Sequence, residues 1–240
     1  MIRGLYTALS GMVASMTRQS VVADDVANVN TPGFKQGRTS QADFELALVR
    51  SAAAGANLGP LGSGTLGVGL TLDRAQGPLE TTGNPSDLAI EGDGLFVVRT
   101  VGGTAYTRAG DFVLDGSRTL VTQEGQPVLD TAGRPIVVPA GSEFSVGPDG
   151  TVAGTGQRLA LVAWPAGGLS RLGQNLYTAA AALPPAGGEI RQGSLERSNV
   201  DMAGAMTDLI RFQRSFAMDA RALSIQDGTL GDASQLGRIR

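Results

Sequence analysis

Cysteine and histidine are both absent from this 240-residue chain. Their absence excludes Ser-His-Asp and Cys-His triads, zinc sites built on His or Cys, iron–sulfur clusters, disulfides and thiol redox switches. It leaves the compartment open, because it says only that no disulfide is needed. Lysine occurs once, at Lys35, and 19 basic against 22 acidic residues give a net charge of −3, with a pI near 5.0. A chain so balanced has no electrostatic footprint for nucleic acid or anionic lipid. No apolar run approaches the ~18 residues that a membrane-spanning helix needs, so no direct membrane insertion is expected. The uncharged stretch Gly4 to Thr17 is broken by Tyr6, Thr7, Ser10, Ser15 and Thr17 and is followed by no small-x-small site, so it does not read as a cleaved signal peptide. What the chain has in excess is glycine, 35 residues, about twice the usual share and suited to a turn-rich β protein.

The two ends differ from the middle. Ile2, Leu5, Leu9, Met12, Met16, Gln19, Ala23 and Val26 step by alternating threes and fours, the spacing of a coiled-coil seam. Arg18 lies off that seam and is expected on a solvated face. Asn28-Val29-Asn30-Thr31-Pro32-Gly33 stops the helix, since proline disfavours helical geometry in the residue before it, and Pro32-Gly33 suits the centre of a type II turn. Near the other end Met202, Ala205, Met206, Leu209, Phe212, Phe216, Ala220 and Leu223 form a matching apolar stripe. Ser198 or Asn199 is placed to cap it, Asp201 falls in its first turn, and Asp227-Gly228 marks where it ends or frays. Each helix would run about 28 residues, roughly 42 Å. Two ordinary amphipathic helices packed on one globular core would give the same pattern.

Between the helices, residues 55–77 hold seven glycines and read as an extended connector. Short apolar or alternating runs follow, among them Leu88-Ala89-Ile90, Leu95-Phe96-Val97-Val98, Ala105-Tyr106-Thr107, Ile136-Val137-Val138 and Leu159 to Trp164. Turn signals such as Asp93-Gly94, Asp115-Gly116 and Asp149-Gly150 separate them at intervals of about 8–12 residues, as in an all-β sandwich or barrel. The fold class expected is α+β: a discontinuous helical coiled-coil domain from residues 1–35 and 199–240, a connector over 36–75, and an all-β domain over 76–198.

Several motifs tempt a chemical reading. Gly62-Ser63-Gly64-Thr65-Leu66-Gly67 spells a dinucleotide fingerprint, but that motif works only between a strand and a helix whose N-terminus meets the pyrophosphate. Here the alternating Val68-Gly69-Leu70-Thr71-Leu72 follows it. Asp93 belongs to a turn signal and Asp24-Asp25 to a helix's polar side, so neither makes a catalytic carboxylate pair, and no D-x-D-x-D-G calcium loop occurs. Trp164 is expected in the core. No catalytic, metal or cofactor residue is assigned, and no cofactor is expected. A carbohydrate- or ligand-binding β module would need a concave aromatic cluster, which seven Phe, three Tyr and one Trp scattered along the chain do not supply. An enzyme would need a perturbed carboxylate pair facing one pocket.

Ala27-Asn28-Val29-Asn30-Thr31-Pro32-Gly33-Phe34-Lys35 resembles the signature of bacterial flagellar rod and hook proteins. Leu195-Glu196-Arg197-Ser198-Asn199-Val200-Asp201, with Met206-Thr207-Asp208-Leu209-Ile210 and Gln213-Arg214-Ser215-Phe216, is similar to that family's closing motif. Asn84 to Phe96 and Ala105 to Gly110 add to the likeness, which spans nearly the whole chain in order. Within the family, Gly125 to Leu129, Pro135 to Glu143 and Ala205 to Asp208 look most like the proximal rod type; the long Gly-rich connector keeps the distal rod type open. The resemblance implies a structural axial subunit, not an enzyme, whose terminal helices pair and pack against neighbours as the inner tube of a torque-transmitting hollow shaft. Its partners would be copies of itself, other rod and hook axial proteins, and the flagellar export apparatus that passes it without cleavage into the basal body of the cell envelope. Subunit-interface residues would be Leu5, Leu9, Met12, Met16 and Val26 on the first helix, and Asn28, Pro32, Gly33 and Phe34 in the signature. Met202, Met206, Leu209, Phe212, Phe216 and Leu223 would complete them on the last helix.

Overall fold

The computed structural model describes residues 2–43, 47–50, 57–61, 65–141, 143–165 and 168–237, with the backbone alone described for residues 2–8, within 41–68, and for 230 and 232–237. Helix α1 (Ile2–Ala27) is 26 residues long and stops where the signature predicts. Thr31 N donates to Asn28 O at 3.1 Å and Phe34 N to Thr31 O at 3.3 Å. Pro32 and Gly33 therefore occupy the centre of a tight turn, and Gly33 has φ +65°, the left-handed value a type II turn requires. Helix α2 (Met202–Gly237) is 36 residues long and so runs past Asp227-Gly228, the expected end. No proline follows to break it, and a glycine inside a helix costs only about 1 kcal/mol. The expected caps also differ. Asp201 precedes the helix as its N-cap residue, whereas the Asn199 side chain bonds Gln36 N, Asp73 O and Ala75 O.

The stretch expected as an extended connector folds instead as a nested antiparallel arm. Strand β1 (Gly37–Asp43) neighbours β4 (Thr65–Leu72), and β2 (Ala47–Arg50) pairs β3 (Asn57–Leu61). Glycine does not prevent this: a Cβ at Gly69 would meet Ser40 Oγ at 2.7 Å, so the close approach of β1 and β4 uses the missing side chain. β4 stands where a dinucleotide site would need a helix; Gly62, Ser63 and Gly64 of that motif lie outside the described residues.

The chain forms two compact units, Met1–Val26 with Gly37–Thr71 and Met202–Arg240, and Ala27–Gln36 with Leu72–Asp201. In the first, α1 and α2 touch: the Arg18 guanidinium lies 5.9 Å from the Phe212 ring centroid, and a methyl at Gly11 would reach the Asp219 carboxylate at 3.4 Å. The two contacts order the helices antiparallel. The second unit is β-rich. Its strands are β5 (Leu79–Thr81), β6 (Leu88–Glu91), β7 (Leu95–Thr100), β8 (Gly103–Thr107), β9 (Val113–Leu114), β10 (Leu120–Val121), β11 (Leu161–Val162), β12 (Ser170–Gly173), β13 (Leu176–Thr178), β14 (Glu189–Gln192) and β15 (Ser194–Glu196). An antiparallel five-stranded sheet runs β11-β7-β8-β13-β12, and β9–β10, β6–β14 and β5–β15 pair separately.

The run Leu95-Phe96-Val97-Val98 is apolar throughout because β7 is covered on both faces. Alternate side chains enter different cores. Phe96 and Val98 join Ala105, Phe112, Leu120, Ile136, Val146 and Leu176 on one face, while Leu95 and Val97 join Tyr106, Leu129, Trp164 and Tyr177 on the other. The period-2 geometry of a strand makes that division. Phe96 meets Phe112 edge-on, with centroids 5.1 Å apart, and Trp164 packs 5.9 Å from Tyr177 in the core position expected for it. Among the described residues no helix is long and apolar enough to cross a membrane.

Candidate assembly site

The terminal helices carry more apolar surface than they cover. On α1, Ala14 and Ser15 are buried, Met12, Arg18 and Val26 are half-buried, and Leu9, Val13 and Met16 are exposed at 50%, 56% and 58%. The expected seam is thus divided, with Met12 turned inward and Leu9 and Met16 outward; the side chain of Leu5 lies outside the described residues. On α2, Ala205 is buried and Leu209, Phe212, Phe216 and Leu223 are half-buried, but Met202, Met206, Ile210, Met218 and Ile225 face out. Arg18, expected on a solvated face, is instead half-buried against Phe212, where a cation over a ring is worth roughly 0.5–2 kcal/mol.

The signature residues have a different fate. Phe34 is buried, and the Arg171 guanidinium stacks 4.7 Å from its ring centroid while donating to Lys35 O at 2.7 Å. Asn175 Nδ2 donates to Pro32 O at 2.7 Å. Asn28, also half-buried, accepts from Thr31 Oγ1 at 3.2 Å. Gly33 is packed so closely on the Arg108 carbonyl that any Cβ would fall on it. Gly33 and Phe34, expected at a subunit interface, are thus engaged inside their own chain.

At the centre of this network sits a carboxylate with two cations. Glu196 Oε1 accepts from Lys35 Nζ at 2.7 Å and from Gly77 N at 2.9 Å, and its Oε2 accepts from Arg108 Nε at 2.6 Å. All three side chains are at most 4% exposed. Lys35 Nζ also donates to Ala75 O at 2.8 Å, and the Arg108 guanidinium reaches the carbonyls of Ile90, Gly92 and Gly94. Every charged atom has partners, the condition under which buried ions are tolerated; removing one partner typically costs about 3–5 kcal/mol. Burial pushes the Lys35 ammonium below its ordinary value of 10.5; Glu196 pulls it back up, and Arg108 adds to the lowering. The backbone closes the same junction, with Gly33 N donating to Glu196 O at 2.7 Å and Asn199 N to Phe34 O at 3.4 Å.

Residues 5–35 match the family described as flagella basal body rod protein. Residues 89–154 match the flagellar hook protein FlgE/F/G D1 domain, and residues 191–236 the flagellar basal body rod FlgEFG protein C-terminal domain. The flagellar basal-body rod protein FlgG of Bacillus subtilis (strain 168) is 37% identical, over 99% of this chain and 100% of the relative. The chain belongs to the flagellar basal-body rod protein family. FlgF rod proteins are similar as well: that of Rhizobium meliloti (strain 1021) is 34% identical over 96% of this chain and 95% of its own. The FlgF of Caulobacter vibrioides is 34% identical over 93% of each.

Placed on the fold, the rod-family motifs converge. Thr31 to Lys35, Ile90 to Gly94, Arg108 and Glu196 to Asn199 come from four separated stretches and meet at one charged junction. Sequence reasoning named the stretches but not Lys35, Arg108 or Glu196 as a set. The available signal was the single lysine, the one charged residue in a signature that is otherwise uncharged.

Proposed function

We propose that this chain is a structural subunit of the flagellar basal-body rod that polymerises through its terminal helices into a hollow, torque-transmitting shaft. The observation that carries this reading is likeness to rod proteins over 99% of the chain. It is supported by the apolar residues left exposed on both helices, Leu9, Val13 and Met16 on α1 and Met202, Met206 and Ile210 on α2. Full burial of such a side chain is worth about 1.5–3 kcal/mol, which neighbouring copies would supply by closing the coiled-coil seam that one chain leaves open. Partners would be copies of the chain and other rod and hook axial proteins. The chain would reach the cell envelope through the flagellar export apparatus without losing a signal sequence.

We assign it to the proximal, FlgF type, on Gly125 to Leu129, Pro135 to Glu143 and Ala205 to Asp208. A distal, FlgG-type reading is favoured by the Bacillus subtilis relative, which is covered from end to end. A strain deleted for this gene and complemented with a tagged copy tests both. Motility should be lost and restored, and the tag should appear in purified basal bodies. Labelling nearer the membrane-proximal end of the rod supports the FlgF type, and labelling nearer the hook supports the FlgG type. Normal motility in the deletion, or basal bodies lacking the tag, would overturn the rod reading.

A further inference from the structure

Residues 33–36 and 196–199, the two stretches that end at or just before the points where the chain leaves its β-rich unit, Gln36 and Asp201, lie side by side and are joined three ways. The backbone bonds Gly33 N to Glu196 O and Asn199 N to Phe34 O link them directly. Gln36 N donates to Asn199 Oδ1 at 2.7 Å. The Glu196 carboxylate then holds Lys35 from one stretch and Arg108, the residue that follows β8. Gly77 lets Arg197 approach so closely that a Cβ there would meet the Arg197 carbonyl, and Gly77 N donates to the same carboxylate. This is more charge than a core of this size needs, since a hydrophobic replacement of a buried ion pair is often neutral or stabilising. What it adds is direction: an ion pair fixes which residue of one stretch faces which of the other.

We propose that Lys35, Glu196 and Asn199 form a clamp that sets the register between the roots of the two terminal helices within one subunit, so that both helices enter the polymer already paired. They are positioning residues for assembly. The inference rests on the rod-subunit reading and adds to it that the clamp is closed before polymerisation.

The single lysine makes the clamp directly measurable. Reductive methylation with ¹³C-formaldehyde and borohydride, read by NMR and mass spectrometry on the full-length monomer, reports one lysine side chain. Lys35 should react at least roughly tenfold more slowly than in the urea-unfolded chain, as expected of a group exposed only by local opening. Asn199→Ala, at a half-exposed position, should bring the Lys35 rate up toward the unfolded value while the cooperative melting of the β-rich unit persists. Lys35→Met with Glu196→Gln leaves the net charge of the cluster unchanged but takes the counter-ion from Arg108, so it should lower the midpoint of that melting while leaving it cooperative. Both variants should fail to enter the rod in the complemented deletion strain. Wild-type Lys35 reacting as fast as in urea would overturn the clamp, as would an Asn199→Ala chain that assembles normally with a reactive Lys35. Loss of cooperative melting in both variants would also overturn it, by making the cluster core support. If wild-type protein is itself missing from the rod, the rod reading fails; if wild type and both variants all assemble, only the clamp does.

Discussion

Lys35 places the chain's only lysine ammonium where water does not reach it, and its titration follows from that. Burial lowers its pKa below 10.5 despite Glu196. Between the folded value and 10.5 the unfolded chain therefore binds more protons, and stability rises with pH in that window; below the folded value the penalty is present in full. An NMR titration of ¹³C-dimethylated Lys35 should give a folded midpoint below that of the same group in urea, and equal midpoints would contradict the burial. Asp130 shows the opposite balance. Its burial raises the pKa, but Arg134 and Ala132 backbone amides, the Arg134 side chain and Gln157 together hold it below 3.8. Its stabilising contribution is present above 3.8 and is lost as pH falls through the folded value. Asp130→Ala strips the acceptor from a tight turn and should cost about 2–3 kcal/mol, lowering Tm by several degrees in calorimetry at neutral pH. A smaller loss is expected at pH well below 3.8, where the wild-type carboxylate is itself protonated.

At the scale of elements, α1 and α2 are amphipathic on two sides rather than one. Leu9→Asp should leave the melting of the soluble chain unchanged, because Leu9 is half-exposed there, yet block recovery of the chain in basal bodies and abolish motility. Leu209→Asp should lower that melting as well as block incorporation, since Leu209 is half-buried in the single chain. Arg211→Ala is a fitting control: its bond to Asp208 at 3.2 Å is solvent-exposed, and such pairs are worth about 0–1 kcal/mol. A melting temperature lowered by about ten degrees in Leu9→Asp would place α1 in the monomer's own core. The helices were legible in the sequence because their 3.6-residue period is long and their first stop carries a proline. Which apolar residues face out was not, because alternate steps of three and four describe both sides of a wide stripe. The arm of β1 to β4 was hidden by glycine, which lowers strand propensity without forbidding a ladder. The double core around β7 was visible only as an uninterrupted apolar run, which by itself does not say what covers each face. The junction of Lys35, Arg108 and Glu196 was invisible for a topological reason: 73 residues separate the first two and 88 the last two, and only the fold brings them together.

For the whole molecule, the rod reading requires a subunit whose β-rich unit is self-sufficient and whose helices are completed by others. Helices whose apolar faces are incompletely covered are marginal alone. Limited proteolysis of the monomer should cut first within residues 1–26 and 202–240 and leave a resistant fragment spanning roughly 27–201, with Lys35 and Glu196 still together; cleavage that spared both ends while attacking the sheet would reverse that order. The decisive observation is a density map of the assembled basal body from cells expressing this chain. The chain should be found in the rod with α1 and α2 innermost, Leu9, Met16, Met202 and Met206 buried against neighbouring subunits, and the β-rich unit at larger radius. A map in which the chain is missing from the rod, or in which those four side chains still face solvent, would contradict polymerisation through the terminal helices.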